Sequence, residues 1–202
     1  MAIDLETLKH APAEAGLHEL LASRWSPRSF SDKKISDADL KKIFTAASYA
    51  ASSTNEQPWR FFVGRHGETT YDKIFDALVP GNQGWAKSAP VLILSVAKKT
   101  FASNGNPNDY ALHDTGAASA NMALQAIALG IHTHGMGGFS KEQARANFHV
   151  PDDYEIGAVW AMGYLGDPEA LPEPLKAREL APRQRKGLGE FVFESWETPA
   201  KL

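Results

Sequence analysis

Cysteine is absent from the 202 residues. That excludes disulfides, thiolate nucleophiles and thiolate-held metal clusters, and with them a secreted disulfide scaffold. An excess of basic charge is missing too: 21 Lys and Arg against 24 Asp and Glu leave a formal net charge of -3. Clustered Lys and Arg are what neutralise a phosphate backbone, so no nucleic-acid partner is expected. No apolar run approaches the ~20 residues that span a bilayer, and the longest strand candidate, 90–97, falls far short. The first residues carry Asp4 and Glu6 where an export signal has a basic and then an apolar segment. A soluble, cytoplasmic chain with no membrane contact is the expectation.

What is present is enough apolar matter for one core: 43% of the residues are hydrophobic, which predicts a single domain over 1–202. Helical spacing of Leu17, Leu20 and Leu21 predicts a helix over 15–23 that delivers Arg24 at its end. Ser36 with Asp39 three residues on opens a second helix, running to about Ala50. Trp59 to Val63 reads as a strand closed by Gly64, and Tyr71 to Leu78 as a helix stopped by Pro80-Gly81. Val91 to Val96 is a nearly unbroken β-favouring run, interrupted by Ser95, as in a strand buried on both faces. A polar loop over 100–108 leads into an Ala-rich helix over 109–129, small-sided nearly all round, as in a helix that is buried or at a subunit interface. Ser140 and Gln143 open a further helix, and Ile156 to Tyr164 comes next as a strand. The prolines at 168, 172, 174 and 182 predict an extended surface run over 166–182, and Phe191 to Phe193 a short strand.

Two runs gather hydroxyl, amide and guanidinium groups: Arg24-Trp25-Ser26-Pro27-Arg28-Ser29-Phe30 and Ser52-Ser53-Thr54-Asn55-Glu56-Gln57-Pro58-Trp59. They suit a ligand that carries both a phosphate and a flat polar ring, because guanidinium forks and hydroxyls give charge-assisted hydrogen bonds to phosphate oxygens. Taken alone, Ser52, Ser53, Asn55 and Gln57 read equally as turn formers. Gly135, Gly137 and Gly138 let backbone approach a planar ring closely, although they do not form a Gly-x-Gly-x-x-Gly fingerprint. His132 and His134 on one strand face make half a metal site, and His113 beside Asp114 adds no third ligand nearby, so no metal is expected. A Gly-x-Ser-x-Gly nucleophile elbow is absent.

The second run resembles the PSSxNxQPW signature of the FMN-dependent nitroreductase family, and the first resembles that family's N-terminal RRSxRxF run. The resemblance extends over nearly the whole chain. It implies an α+β fold with a central mixed, mostly antiparallel sheet flanked by helices, and a homodimer whose C-terminal strand extends onto the partner subunit. By position it implies that Arg24, Ser26, Arg183 and Arg185 hold the FMN phosphate, with Lys186 able to replace either tail Arg. Arg28 matches the family's cation beside flavin N1, where it stabilises the negative charge that reduction brings and raises the potential. Ser52, Ser53, Asn55 and Gln57 are implied to meet the ring and ribityl chain, partly across the dimer interface, and Asn82 the pyrimidine edge. The chain departs from one family pattern at Gly135, Gly137 and Gly138: many members carry a Glu or Ile beside these glycines, and Gly137 occupies the site where an acid would help to position the nicotinamide. The backbone of Gly137 or Gly138 is left to contact flavin N5.

The implied activity is two-electron transfer from NADH or NADPH through bound FMN to a small acceptor, a nitroaromatic or a quinone, by a ping-pong mechanism. No side chain is a catalytic residue in that scheme, since flavin N5 carries the chemistry. Two rivals stand beside it: a same-fold flavoenzyme dedicated to enone reduction or dehalogenation, and a carrier or sensor that holds FMN without turnover.

Overall fold

The computed structural model describes residues 4–202. In chain order it contains α1 (Leu5–Lys9), α2 (Glu19–Ser23), α3 (Asp37–Ser48), β1 (Trp59–Arg65), α4 (Thr69–Asp76), α5 (Pro80–Ala86) and β2 (Val91–Lys98). Then come α6 (Ala111–Ala128), β3 (His132–Met136), α7 (Lys141–Phe148), β4 (Tyr154–Gly163), α8 (Glu173–Leu180), β5 (Phe193–Ser195) and β6 (Thr198–Pro199). No helix among the described residues is long and apolar enough to cross a membrane.

The main sheet has the order β1-β2-β4-β3, and every neighbouring pair in it is antiparallel. The α+β architecture with helices on both sheet faces is therefore the one expected, with no parallel pair in this sheet. Successive side chains of β2 point to opposite faces, and both faces are covered. Val91 and Ile93 join Ile43 of α3 and Ala118 and Met122 of α6, whereas Leu92, Leu94 and Val96 join Ile74, Trp85 and Ala144 of α4, α5 and α7. α4 lies so close on β1 that a Cβ at Gly64 would collide with the backbone of Thr70 and Tyr71, a clash only glycine avoids. Ser36 caps α3 as its spacing predicts, its Oγ accepting the Asp39 N–H at 3.1 Å.

Four local expectations need correction. The helix expected over 15–23 is only α2, because Gly16 sits in the left-handed region at φ 61 and the chain restarts at His18, whose Nδ1 caps Leu20 N–H. Pro80-Gly81 begins α5 rather than ending α4: proline fits the first helical position, where its missing N–H costs nothing. The run 166–182 is not extended, since Pro168 opens a short 3-10 turn and Pro172 and Pro174 stand at the start of α8. The terminal strand begins at Phe193 rather than Phe191, and pairs with Thr198–Pro199 of the same chain.

Candidate functional site

Residues 24–30 follow the end of α2 without regular structure, with a bend at Arg28. Trp25, Pro27 and Ser29 are buried, and Arg24, Ser26 and Arg28 between them are half-buried. Arg24 Nη1 lies 3.5 Å from Ser26 Oγ, at the outer limit of a hydrogen bond. The tail reaches the same place from the far end of the chain: Arg183 Nη1 donates to the carbonyls of Lys9 (2.8 Å) and Ala22 (2.6 Å). Burial lowers the pKa of both Arg24 and Arg183, and the charge of Arg185 lowers each further. Three guanidinium groups thus repel one another here, and among the described residues none of them pairs with a carboxylate. Lys186 is exposed beside them.

Arg28 has a different neighbour. Its Nη1 lies 3.9 Å from Oε2 of Glu179, a fully buried acid on α8. Beneath the loop, His134 packs against Trp85 at 4.6 Å, and its Nδ1 donates to the Pro27 carbonyl at 2.8 Å. Burial pushes the pKa of His134 down to about 4, and Arg28 and Arg24 add to the shift. His132 is likewise pushed down to about 4 by burial and then by Arg24. Both imidazoles are therefore neutral in the fold, while an unfolded chain protonates them near pH 6.5. Between those values the unfolded state binds more protons, so stability is complete above about pH 6.5 and falls as the pH drops towards 4. Thermal melting monitored across that window should show the decline, and His132→Gln with His134→Gln should flatten it. No group of three or more His, Asp or Glu among the described residues is arranged to hold a metal ion.

The Ser52–Gln57 run forms a tight turn in which Thr54, Asn55 and Gln57 all have positive φ, at 51, 55 and 53°. Such backbone persists only where its surroundings over-determine it. Asp114, buried on α6, accepts the Ser53 N–H at 2.9 Å, and Ser52 Oγ accepts the Gln57 N–H at 3.0 Å. Glu56 Oε1 accepts the Ala102 N–H at 2.9 Å, which ties the 100–108 loop to the same turn. Ser52 and Ser53 are half-buried, and Asn55 and Gln57 are exposed.

After β3 the chain continues through Gly137 and Gly138 without regular structure. A Cβ on Gly138 would lie 2.7 Å from Asn82 Nδ2, which donates to the Gly138 carbonyl at 3.0 Å, and Asn82 Oδ1 accepts from Trp85 Nε1 at 3.3 Å. Gly137 has nothing within 4 Å on its side-chain side, which leaves its backbone open to a flat ring.

Along β3, then, one chain brings together Arg24, Ser26, Arg28, Asn82, Gly137, Gly138 and Arg183, with Arg185 close by. The Ser52–Gln57 turn is not among them. It precedes β1, the opposite edge strand, at the end where Trp59 pairs with Ala97, whereas Arg24 lies by the end where His132 pairs with Gly163. Three strand spacings and six residues of β1 separate these corners, about 14 Å across the sheet and about 20 Å along it. Sequence reasoning missed Glu179 and Asp114, the two buried acids that anchor the two runs. Neither has a motif around it, and each meets its partner only in the fold.

A guanidinium cluster and an open pair of glycines on the edge of an α+β sheet suit an anionic, ring-bearing ligand. The profile of the Nitroreductase family matches residues 21–164, and the chain belongs to that family. It is similar to a crystal structure of an oxidoreductase containing FMN, at 34% identity over 91% of this chain and 94% of that one, with a TM-score of 0.85. A protein of Archaeoglobus fulgidus, provisionally named an NADH dehydrogenase/NAD(P)H nitroreductase, is 32% identical over 153 residues, 74% of this chain and 85% of its own. A nitroreductase family protein from Clostridium difficile is 27% identical with a TM-score of 0.67, covering 87% of this chain and 95% of that chain.

Proposed function

We propose that the chain is an FMN-dependent oxidoreductase that takes two electrons from NADH or NADPH and passes them to a small acceptor, a nitroaromatic or a quinone. The observation that carries this reading is the cluster of Arg24, Arg183 and Arg185, three charges that repel one another and, among the described residues, pair with no carboxylate. A phosphate monoester relieves that repulsion and accepts from the guanidinium forks and from Ser26 Oγ. Names of relatives support the cofactor and the donor: one solved relative contains FMN, and another protein is named for NAD(P)H.

Bound FMN supplies hydride chemistry at its N5. The chain's own part is position and charge. Arg24, Ser26, Arg183 and Arg185 hold the phosphate, Arg28 places a cation where reduction adds negative charge, and Gly137 and Gly138 let the ring lie close. Ser52, Ser53, Asn55 and Gln57 complete the site from a second copy of the chain, since their own copy keeps them at the opposite corner of the sheet.

Purified protein should be yellow and should release FMN, not FAD, on denaturation, because a clustered phosphate site leaves no room for an adenylate. Protein that is colourless and takes up no added FMN overturns the reading. Steady-state NAD(P)H oxidation with a nitroaromatic or quinone present then separates an enzyme from a flavin carrier.

A further inference from the structure

Helix α8 lies outside the family match and docks in an unusual way. Its one buried residue is Glu179, which is 0% exposed. A helix normally docks through an apolar stripe, and an acid is buried only where partners offset the loss of water. The two oxygens of Glu179 have separate partners. Oε1 accepts the backbone N–H groups of Arg28 (2.8 Å) and Ser29 (3.1 Å). Oε2 makes no hydrogen bond and faces Arg28 Nη1 at 3.9 Å. Lys9, also buried, donates to the carbonyls of Arg178 and Ala181 around this acid, and the charge of Glu179 acts against the burial that lowers its pKa.

We propose that Glu179 is a positioning residue: it fixes the Arg28 loop through Oε1 and, through Oε2, sets how much of the Arg28 charge reaches the bound ligand. The inference rests on the FMN reading above. Arg183 and Arg185 come directly after α8, so the same carboxylate also registers the tail against the Arg24–Arg28 loop. One side chain thereby aligns two segments from opposite ends of the chain on one anion. Its negative charge opposes Arg28 and holds the flavin potential lower than Arg28 alone would set it.

The two oxygens make the inference testable. Glu179→Gln keeps a carbonyl oxygen for the backbone N–H groups but removes the charge that opposes Arg28. Reduced FMN should then gain about tenfold in affinity relative to oxidised FMN, which for a two-electron couple is an upward shift of about 30 mV. Glu179→Asp draws the charge back by one methylene and should shift the potential the same way by less. Glu179→Ala removes both functions and should weaken FMN binding about tenfold or more. In an Arg28→Ala background, Glu179→Gln should leave the potential where it is. The measurements are FMN titration and the midpoint potential of the FMN-bound protein against redox dyes, and Glu179→Asp carries the test if Glu179→Gln does not fold. A potential unchanged in Glu179→Gln or Glu179→Asp with FMN bound overturns the inference and leaves the FMN reading intact. Wild-type protein that binds no FMN overturns both.

Discussion

Arg28→Ala should retain FMN better than Arg24→Ala yet accept hydride from NAD(P)H one to two decades more slowly than wild type. Contacts to a phosphate are made equally in both redox states, so losing Arg24 weakens binding without changing the balance between them. Arg28 stands apart from the phosphate cluster, and among the described residues the Glu179 carboxylate is the one acid that faces its guanidinium. A cation there acts chiefly on the negative charge that builds up during reduction, and therefore on the transition state. One charge-assisted contact is worth roughly 1.5–3 kcal/mol, which sets the one to two decades if most of it is expressed at that point. The midpoint potential should fall in parallel. Equal potentials and equal reductive rates in Arg28→Ala and wild type would return Arg28 to a surface role.

Two defective chains should repair each other. Arg24→Ala removes the phosphate side of a site, and Gln57→Val spoils the turn by forcing a β-branched residue into positive φ. If each site takes its arginines from one copy and its turn from the other, a mixed dimer has one site with both faults and one with neither. Random pairing makes half of the dimers mixed, so co-refolded protein should recover about a quarter of the wild-type number of tight FMN sites, whereas each variant alone binds FMN only weakly. Apolar surface for such a dimer is available: Tyr110 and Leu112 beside the 100–108 loop, and Phe191, Phe193 and Trp196 in the tail, are all exposed. No recovery, or tight FMN binding by a dilute monomer seen in sedimentation, would refute the shared site.

The parts readable from the sequence are those in which local chemistry and global packing agree. Val91 to Val96 is apolar on both faces because both are buried, and Ser36 with Asp39 opens α3 because the cap satisfies a local donor. Proline misled wherever it reads two ways: Pro80 and the prolines at 172 and 174 can stop a helix or start one, and the residues on their C-terminal side decide between the two. Of the site, Arg24, Ser26 and Arg183 are legible as residue types suited to a phosphate, and the fold brings them together. Their anchors were not visible. Glu179 is one of two acids in a weakly amphipathic helix, and its partner Arg28 is 151 residues away, a distance over which spacing carries no signal.

The grip of Arg183 on the Ala22 carbonyl spans 161 residues, nearly the length of the chain. A ribosome that has made everything through β4 has produced the whole main sheet but not the last guanidinium groups of the cluster. If the proposed phosphate site is correct, ligand capture, and the stabilisation by mass action that comes with it, waits until synthesis has passed Arg185. On that reading, a chain cut short before Arg183 would carry a complete main sheet with little ligand-derived stability.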